Sequence, residues 1–225
     1  MVAMELTFHH RPRLAILGSR EWYQKGVKEL CQELGRHFAQ RFTQLELVTN
    51  GMSAVQQVVA EAFIQEASRL GRSLGEGGLG VRLLMPGDVR ETVAGPLLSN
   101  ELNSGRNRVI RQVAGNTHAE AREALAGTAD ACLLVSGGPG SASVADRAMC
   151  LGRPVLCMPC TGGAAAGKFW LPCALTTKPD WLGIVPSGAS TWAILCRKDS
   201  PSSETAAAAT AALHSALSGM QHSKL

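Results

Sequence analysis

The sequence predicts an α/β fold, a three-layer sandwich built around a mostly parallel β-sheet. Three observations predict it. Short apolar runs alternate with segments of helical periodicity along most of the 225 residues. The runs are apolar throughout and do not alternate between apolar and polar residues, as expected of strands that helices cover on both faces. Several runs end in glycine-rich turns, and 24 residues are glycine.

The first half of the chain supplies three strands and two helices. The apolar run 14–17 predicts a strand, and a glycine turn follows it. Apolar residues spaced three and four apart predict a helix over 23–41. A second strand over 45–49 and a second helix over 55–70 repeat the unit. A third strand over 81–85 then stops at a proline.

The second half continues the pattern after a loop over 87–117 in which we expect one or two helical turns. A helix over 117–125 leads into a strand over 130–135. A helix over 142–151 ends at a glycine and leads into a strand over 155–158. The remaining expectations are short strands at 184–185 and 193–195 and an alanine-rich helix over 203–217. We therefore expect one domain over residues 1–218 and a flexible polar tail over 219–225.

Composition excludes several classes of protein. Charged residues make up 18%, and the net charge of +4 is scattered, which argues against a polybasic nucleic-acid binder. Aromatic residues make up only 4%, too few for base-stacking platforms. No apolar run reaches the roughly 18 residues of a membrane span. We expect neither nucleic acid nor a membrane as partner.

The cysteines indicate a reduced compartment. There are seven, an odd number, and no secretory signal precedes them. Cys157 and Cys160 form a lone C-x-x-C, which could serve redox or metal chemistry or could be two small apolar thiols at a buried strand end. No second pair stands at zinc spacing, so we predict no metal site.

Polar and glycine-rich loops follow the first, second and fourth predicted strands. In an open parallel sheet, ligands bind outside the carboxyl ends of the strands. The loop 136–141 (SGGPGS) leads into a helix, whose N-terminal amides attract anions. A tight strand-to-helix turn without a ligand is the alternative. The predicted ligand contacts are Gly18, Ser19, Arg20, Asn50, Gly51, Gly137, Gly138, Gly140 and Ser141.

The loops match neither of two common nucleotide motifs. Only one glycine follows the first strand, so the dinucleotide fingerprint G-x-G-x-x-G is missing there. No Gly-Lys-Ser/Thr follows the later glycines, so this is not a P-loop. We expect no required cofactor and a nucleotide or other phosphate-bearing molecule as ligand.

The order of these segments resembles a known family. LAILGSREWYQKGVKELCQELG, LELVTNGMSAVQQVVAEAF, VRLLMP and ADACLLVSGGPGSASVADRAMCLGRPVLCMP are similar to segments of the LONELY GUY-type cytokinin-activating proteins, often labelled "possible lysine decarboxylase". The same superfamily includes molybdenum-cofactor carrier proteins. The resemblance covers residues 14–159. It implies a Rossmann-like fold and, as activity, hydrolysis of nucleoside 5'-monophosphates to free base and ribose 5-phosphate.

The catalytic residues that the resemblance implies are altered. The glutamate of the family's P-G-G-x-G-T-x-x-E loop falls on Val144, and the nearest acid is Asp146. The position of the family's catalytic arginine, on the helix before the fourth strand, falls on Ala121, and Arg122 is the next residue. We therefore name Arg122 and Asp146 as candidate catalytic residues, with Glu123 as a second possible carboxylate.

Three functions remain open at this point. The chain could bind a nucleotide or other phosphate ligand without catalysis, act as a phosphoribohydrolase with a relocated carboxylate, or carry a pterin or molybdenum cofactor. We expect a homodimer. The C-terminal Ser223-Lys224-Leu225 matches a peroxisomal address. It predicts recognition by the import receptor and a peroxisomal location if the source is eukaryotic, and a cytoplasmic location otherwise.

Overall fold

The computed structural model describes residues 11–75, 77–87, 98, 100–101, 109–183 and 188–222. Two of the segments considered above lie outside these residues: the expected short strand at 184–185 and the C-terminal tripeptide 223–225. Most of the loop expected over 87–117 is outside as well.

A parallel sheet of six strands forms the centre of the molecule. Every neighbouring pair is parallel, and the spatial order is β4-β3-β2-β1-β5-β6. The predicted fold class, a three-layer α/β sandwich, is therefore confirmed. The strands are β1 Arg13–Gly18, β2 Leu45–Thr49, β3 Leu79–Met85, β4 Val109–Val113, β5 Ala131–Val135 and β6 Val155–Met158.

Helices connect the strands and cover both faces of the sheet. Ser53 caps the second helix in a reciprocal capping box with Gln56, and Thr117 caps the third. Two short 3₁₀ turns, Pro159–Thr161 and Gly163–Ala166, follow β6. The helices are α1 Val27–Arg41, α2 Ala54–Arg69, α3 His118–Thr128, α4 Pro139–Cys150, α5 Cys173–Thr176, α6 Asp180–Gly183, α7 Gly188–Cys196 and α8 Ser202–His222.

The central strand β1 shows how each face of the sheet builds its own core. Leu14 and Ile16 pack on one face with residues of α1, α2 and α8. Ala15 and Leu17 point to the other face and pack with residues of α3 and α4. Because side chains alternate along a strand, a strand covered on both faces must be apolar at every position. This is the physical reason for the unbroken apolar runs in the sequence.

One buried charge interrupts this apolar pattern. Glu46 of β2 is 1% exposed, and three arginines surround its carboxylate. Arg82 donates to both carboxylate oxygens, at 2.9 and 3.0 Å. Arg13 donates at 3.2 Å, and Arg11 also pairs with the carboxylate. Burial opposes the charged form of Glu46, but the hydrogen bond from Arg82 and the charges of Arg11, Arg82 and Arg13 outweigh it, so its pKa is lowered.

The structure departs from the predicted elements in three places. Strand β4 was not predicted, because only Val109 of its five residues is buried and the strand therefore lacks an apolar run. The short strand expected at 193–195 is wrong, since these residues lie inside helix α7. Helix α8 continues to His222, five residues beyond its predicted end, so residues 219–222 of the expected tail are helical. The boundary between domain and tail stays a prediction.

Candidate functional site

A cavity of about 410 Å³ lies at the carboxyl edge of the sheet. Its walls come from the loops that follow β1, β2 and β5 and from helices α3 and α4. The strand order reverses between β1 and β5, because the chain builds outward from β1 to β2, β3 and β4 and later adds β5 on the other side. Ligands of open α/β sheets bind in the crevice at such a switch point. The fold therefore places a crevice where ligand binding is expected.

The N-terminus of α4 forms one wall of the cavity. Gly138 is the N-cap, Pro139 occupies the first turn, and both line the cavity together with Gly140 and Ser141. The amide of Ala142 already bonds to the carbonyl of Gly138 at 3.0 Å. Helix geometry leaves the amides of Gly140 and Ser141 without an intrahelical acceptor. These two donors, at the positive end of a helix, suit an anionic group.

A guanidinium group lies beside these amides. Arg122 extends from α3 and also lines the cavity. A Cβ atom added to Gly140 would lie 3.4 Å from Cδ of Arg122 and 3.5 Å from Nη1. The glycine thus allows the arginine to approach the helix terminus. A guanidinium next to free amides can bind a phosphate with several charge-assisted hydrogen bonds.

The loop between β5 and α4 is held from behind by the segment after β6. The amide of Ser136 donates to Oγ1 of Thr161 at 2.7 Å, and its hydroxyl donates to the carbonyl of Thr161 at 2.8 Å. The amides of Ala164 and Ala165 donate to the carbonyls of Gly137 and Ser136, each at 2.8 Å. These contacts fix the position of the helix N-terminus.

Ser136 stands at the first position of the P-G-G-x-G-T-x-x-E motif, where the family that the sequence resembles has proline. Its φ is 57°, in the left-handed region. Proline, which the family has at this position, is locked near −65° and cannot adopt that angle. The loop of this chain therefore begins with a backbone conformation that the family's residue would exclude.

Hydrogen bonds join the loop after β1 to the loops after β2 and β5. The hydroxyl of Ser141 donates to the carbonyl of Gly18 at 2.7 Å. Nε of Arg20 donates to the carbonyl of Met52 at 3.1 Å. Gly18 must be glycine, because an added Cβ would lie 2.4 Å from the side chain of Val55. The three loops therefore form one connected rim.

The β2 loop is a tight polar turn. The amide of Gly51, which has a φ of 66°, donates to Oγ1 of Thr49 at 3.0 Å. The amide of Met52 donates to Oδ1 of Asn50 at 3.3 Å. Nε2 of the buried Gln56 donates to the carbonyl of Ile16 at 2.9 Å and thereby ties helix α2 to β1.

Most of the predicted ligand contacts lie in the cavity wall. Gly51 and Gly137 belong to the same loops but do not line the cavity. A Cβ on Gly137 would meet the side chains of Leu134 and Ser141 at 2.9 and 3.0 Å, so this glycine serves packing behind the wall. The predicted residues that line the cavity are Gly18, Ser19, Arg20, Asn50, Gly138, Gly140, Ser141 and Arg122.

The candidate carboxylates are not brought to the cavity. Asp146 is exposed and lies 4.0 Å from the thiol of Cys150, one turn further along α4. Glu123 forms a surface ion pair with Arg147 at 3.1 Å. Neither acid lines the cavity, whereas the buried Val144 does. The reason is helix periodicity: residues two apart face different directions, so Asp146 cannot replace a side chain at position 144.

Sequence reasoning missed two residues of the β1 loop, Glu21 and Tyr23, which both line the cavity. Glu21 is an exposed carboxylate at the rim. The spacing of apolar residues places Tyr23 on the apolar face of the first helix, but that helix begins only at Val27, after Gly26 with a φ of 82°. The four-residue shift in the helix start turns a predicted core residue into a cavity residue.

The thiols of the C-x-x-C lie apart from this cavity. Cys157 is buried in β6, and burial raises its pKa to about 12. Cys160 is half-buried in the following 3₁₀ turn, and burial raises its pKa to about 11. Within the described part of the chain, no group of three or more His, Cys, Asp or Glu side chains could hold a metal ion. None of the helices in that part is both long and apolar enough to span a membrane.

Comparisons with known proteins identify the fold. The protein TM1055 superimposes with a TM-score of 0.51 and 23% identity, over 68% of this chain and 78% of that chain. The chain has a Rossmann-like fold. This agrees with the Rossmann-like fold that the sequence resemblance implies.

Two other solved structures superimpose with lower scores. They are the molybdenum cofactor binding protein of Rippkaea orientalis (TM-score 0.47, 15% identity, 66% of this chain and 77% of that chain) and the molybdenum cofactor carrier protein of Chlamydomonas reinhardtii (0.46, 17%, 65% and 75%). No protein-family model matches the sequence, and no curated protein matches it.

Proposed function

We propose that this chain binds a small phosphate-bearing molecule, such as a nucleoside 5'-monophosphate, in the cavity at the β1–β5 switch point. The observation that carries the proposal is the wall formed by α4 and Arg122. It offers two free amides, a helix N-terminus and a guanidinium within one short stretch of surface. An anion gains from all three, and a phosphate has enough oxygens to accept from each.

The rest of the cavity suits a small organic ligand. Its volume of about 410 Å³ falls within the range of roughly 300–1,000 Å³ typical of small-molecule sites. Leu17, Leu125 and Val144 supply apolar surface, and Ser19 and Asn50 supply polar groups near the rim. Predominantly apolar walls with a few polar groups are the usual composition of such sites.

Binding without hydrolysis is the better-supported form of this proposal. Hydrolysis of an N-glycosidic bond needs a carboxylate near the developing positive charge on the ribose. Position 144 carries valine, and Asp146 and Glu123 lie outside the cavity. Among the residues that the structure describes, Glu21 is the carboxylate in the cavity wall, and it is the candidate through which a hydrolase would act.

Calorimetry with AMP, ribose 5-phosphate and inorganic phosphate tests binding, and chromatography of the same mixtures detects free base. We expect AMP to bind and no base to be released. Failure of all three compounds to bind would overturn the proposal. Turnover of AMP that is lost in Glu21→Gln would establish the hydrolase instead. Native mass spectrometry of the purified protein would show a pterin or another co-purifying ligand directly.

A further inference from the structure

The loop between β1 and α1 gives the cavity an aromatic wall. Tyr23 lines the cavity and is half-buried. It is the single tyrosine of a chain in which only 4% of residues are aromatic. Among the described residues, its hydroxyl has no hydrogen-bond partner. A hydrogen bond within the described part of the protein therefore does not account for a tyrosine at this position.

The segment after β6 holds the Tyr23 side chain. A Cβ added to Gly162 would lie 3.1 Å from Cβ of Tyr23, and one added to Gly163 would lie 2.9 Å from Cδ2. Both glycines have positive φ, at 76° and 61°. Any other residue at these two positions would press on the tyrosine. The same segment braces the β5–α4 loop through Thr161, so one element positions both the aromatic wall and the anion-binding wall.

A second ring packs against Tyr23. The ring centroid of Phe169 lies 6.3 Å away, with an angle of 54° between the planes. Phe169 and Trp170 both have left-handed backbones, with φ of 60° and 57°. Non-glycine residues adopt this conformation only where the surrounding structure enforces it, and such residues cluster at ligand sites. Phe169 thus supports the tyrosine through an unusual backbone.

We propose that Tyr23 stacks on a planar heteroaromatic ring of the bound ligand, and that it makes the cavity selective for ring-bearing phosphates over simple sugar phosphates. The inference rests on the proposed function. Aromatic side chains stack on any base because every base has a π-face. Phosphate contacts at α4 would fix one end of the ligand, and Tyr23 would contact its ring.

The test compares two ligands in three proteins. Calorimetry measures the affinity of AMP and of ribose 5-phosphate for the wild type, for Tyr23→Phe and for Tyr23→Leu. In the wild type AMP should bind more tightly than ribose 5-phosphate. Tyr23→Phe should retain this preference. Tyr23→Leu should weaken the affinity for AMP about 5- to 140-fold, the range for loss of one stacking contact, and leave the affinity for ribose 5-phosphate within about twofold.

The possible failures are distinguishable. Equal loss of both ligands in Tyr23→Leu would show that Tyr23 only supports the loop and would overturn the inference, as would no loss of either. If the wild type binds both ligands equally, the phosphate site stands and the stacking inference fails. If it binds neither, the proposed function and this inference fail together. Tyr23→Met, which keeps an apolar side chain without a ring, replaces Tyr23→Leu if that variant does not fold.

Discussion

Gly140 offers a direct test of the anion-binding wall, because its substitution should separate binding from folding. No positive φ constrains this residue, and an added Cβ would meet only the flexible side chain of Arg122, at 3.4 Å or more. Gly140→Asp should therefore fold. A carboxylate in the first turn of a helix adds about 0.3–1 kcal/mol of stability through the helix dipole. We expect a free energy of unfolding equal to that of the wild type or slightly higher.

The same substitution should disable the anion-binding wall. The new carboxylate can reach the guanidinium of Arg122, since Nη1 lies 3.5 Å from the added Cβ. It would also lie where the phosphate is proposed, and two unit charges 4 Å apart repel by about 4 kcal/mol at an effective dielectric constant near 20. Losing charge-assisted hydrogen bonds costs about 1.5–3 kcal/mol each. Together these effects predict a loss of at least about 4 kcal/mol, or roughly 700-fold or more in affinity.

Isothermal titration with AMP measures that loss, and Gly140→Asn is the matched control. Asparagine has the size of aspartate without its charge, so it should lose much less affinity than Gly140→Asp. Chemical denaturation of both variants checks that the fold is intact. A Gly140→Asp protein that is folded and binds AMP as tightly as the wild type would refute the placement of the phosphate. Equal losses in the two variants would attribute the effect to bulk instead of charge.

Three further predictions follow from individual side chains. Arg122→Ala should weaken phosphate binding about tenfold, in line with the loss of one charge-assisted hydrogen bond, whereas Arg147→Ala, on the surface beside Glu123, should leave calorimetric affinity unchanged. Asp146→Asn should leave both AMP affinity and any base release unchanged, because its carboxylate does not line the cavity. Glu46→Gln should reduce the free energy of unfolding by about 1.5–3 kcal/mol, since it leaves the half-buried arginines without their counter-charge. The pKa of Glu46 is lowered in the folded state, so its contribution to the free energy of unfolding is present above the ordinary value of 4.5 and is lost as pH falls through the folded pKa. Urea titrations at several pH values should therefore show a loss of stability in acid that is weaker in Glu46→Gln.

The sheet could be predicted where strands are covered on both faces, because burial then leaves a contiguous apolar run. It could not be predicted at β4, where three of the five residues are exposed. The prediction of a strand at residues 193–195 failed for the opposite reason. They are apolar, but periodicity over three residues does not distinguish a strand from a turn of helix α7.

The residues of the candidate site also fall into those that could be predicted from the sequence and those that could not. The loop glycines could be found because they follow predicted strands, and the parallel sheet brings those strand ends together. Tyr23 was missed because the left-handed Gly26 delays the start of α1 to Val27, which apolar spacing does not reveal. Thr161 was missed because its role depends on hydrogen bonds to Ser136, 25 residues away.

Within the proposed function, the arrangement of this cavity allows phosphate binding without catalysis. The proposed phosphate contacts are mainly backbone amides at the start of α4, and backbone groups remain through most side-chain substitutions provided that Gly138 and Gly140 keep the terminus open. The family's catalytic carboxylate, by contrast, belongs to one side chain. In this chain the corresponding position 144 is a valine, which gives the same wall a buried apolar group. The proposed phosphate recognition therefore depends on a loop conformation that four hydrogen bonds to the segment after β6 maintain, whereas the catalysis that the resemblance implies would depend on the single position 144.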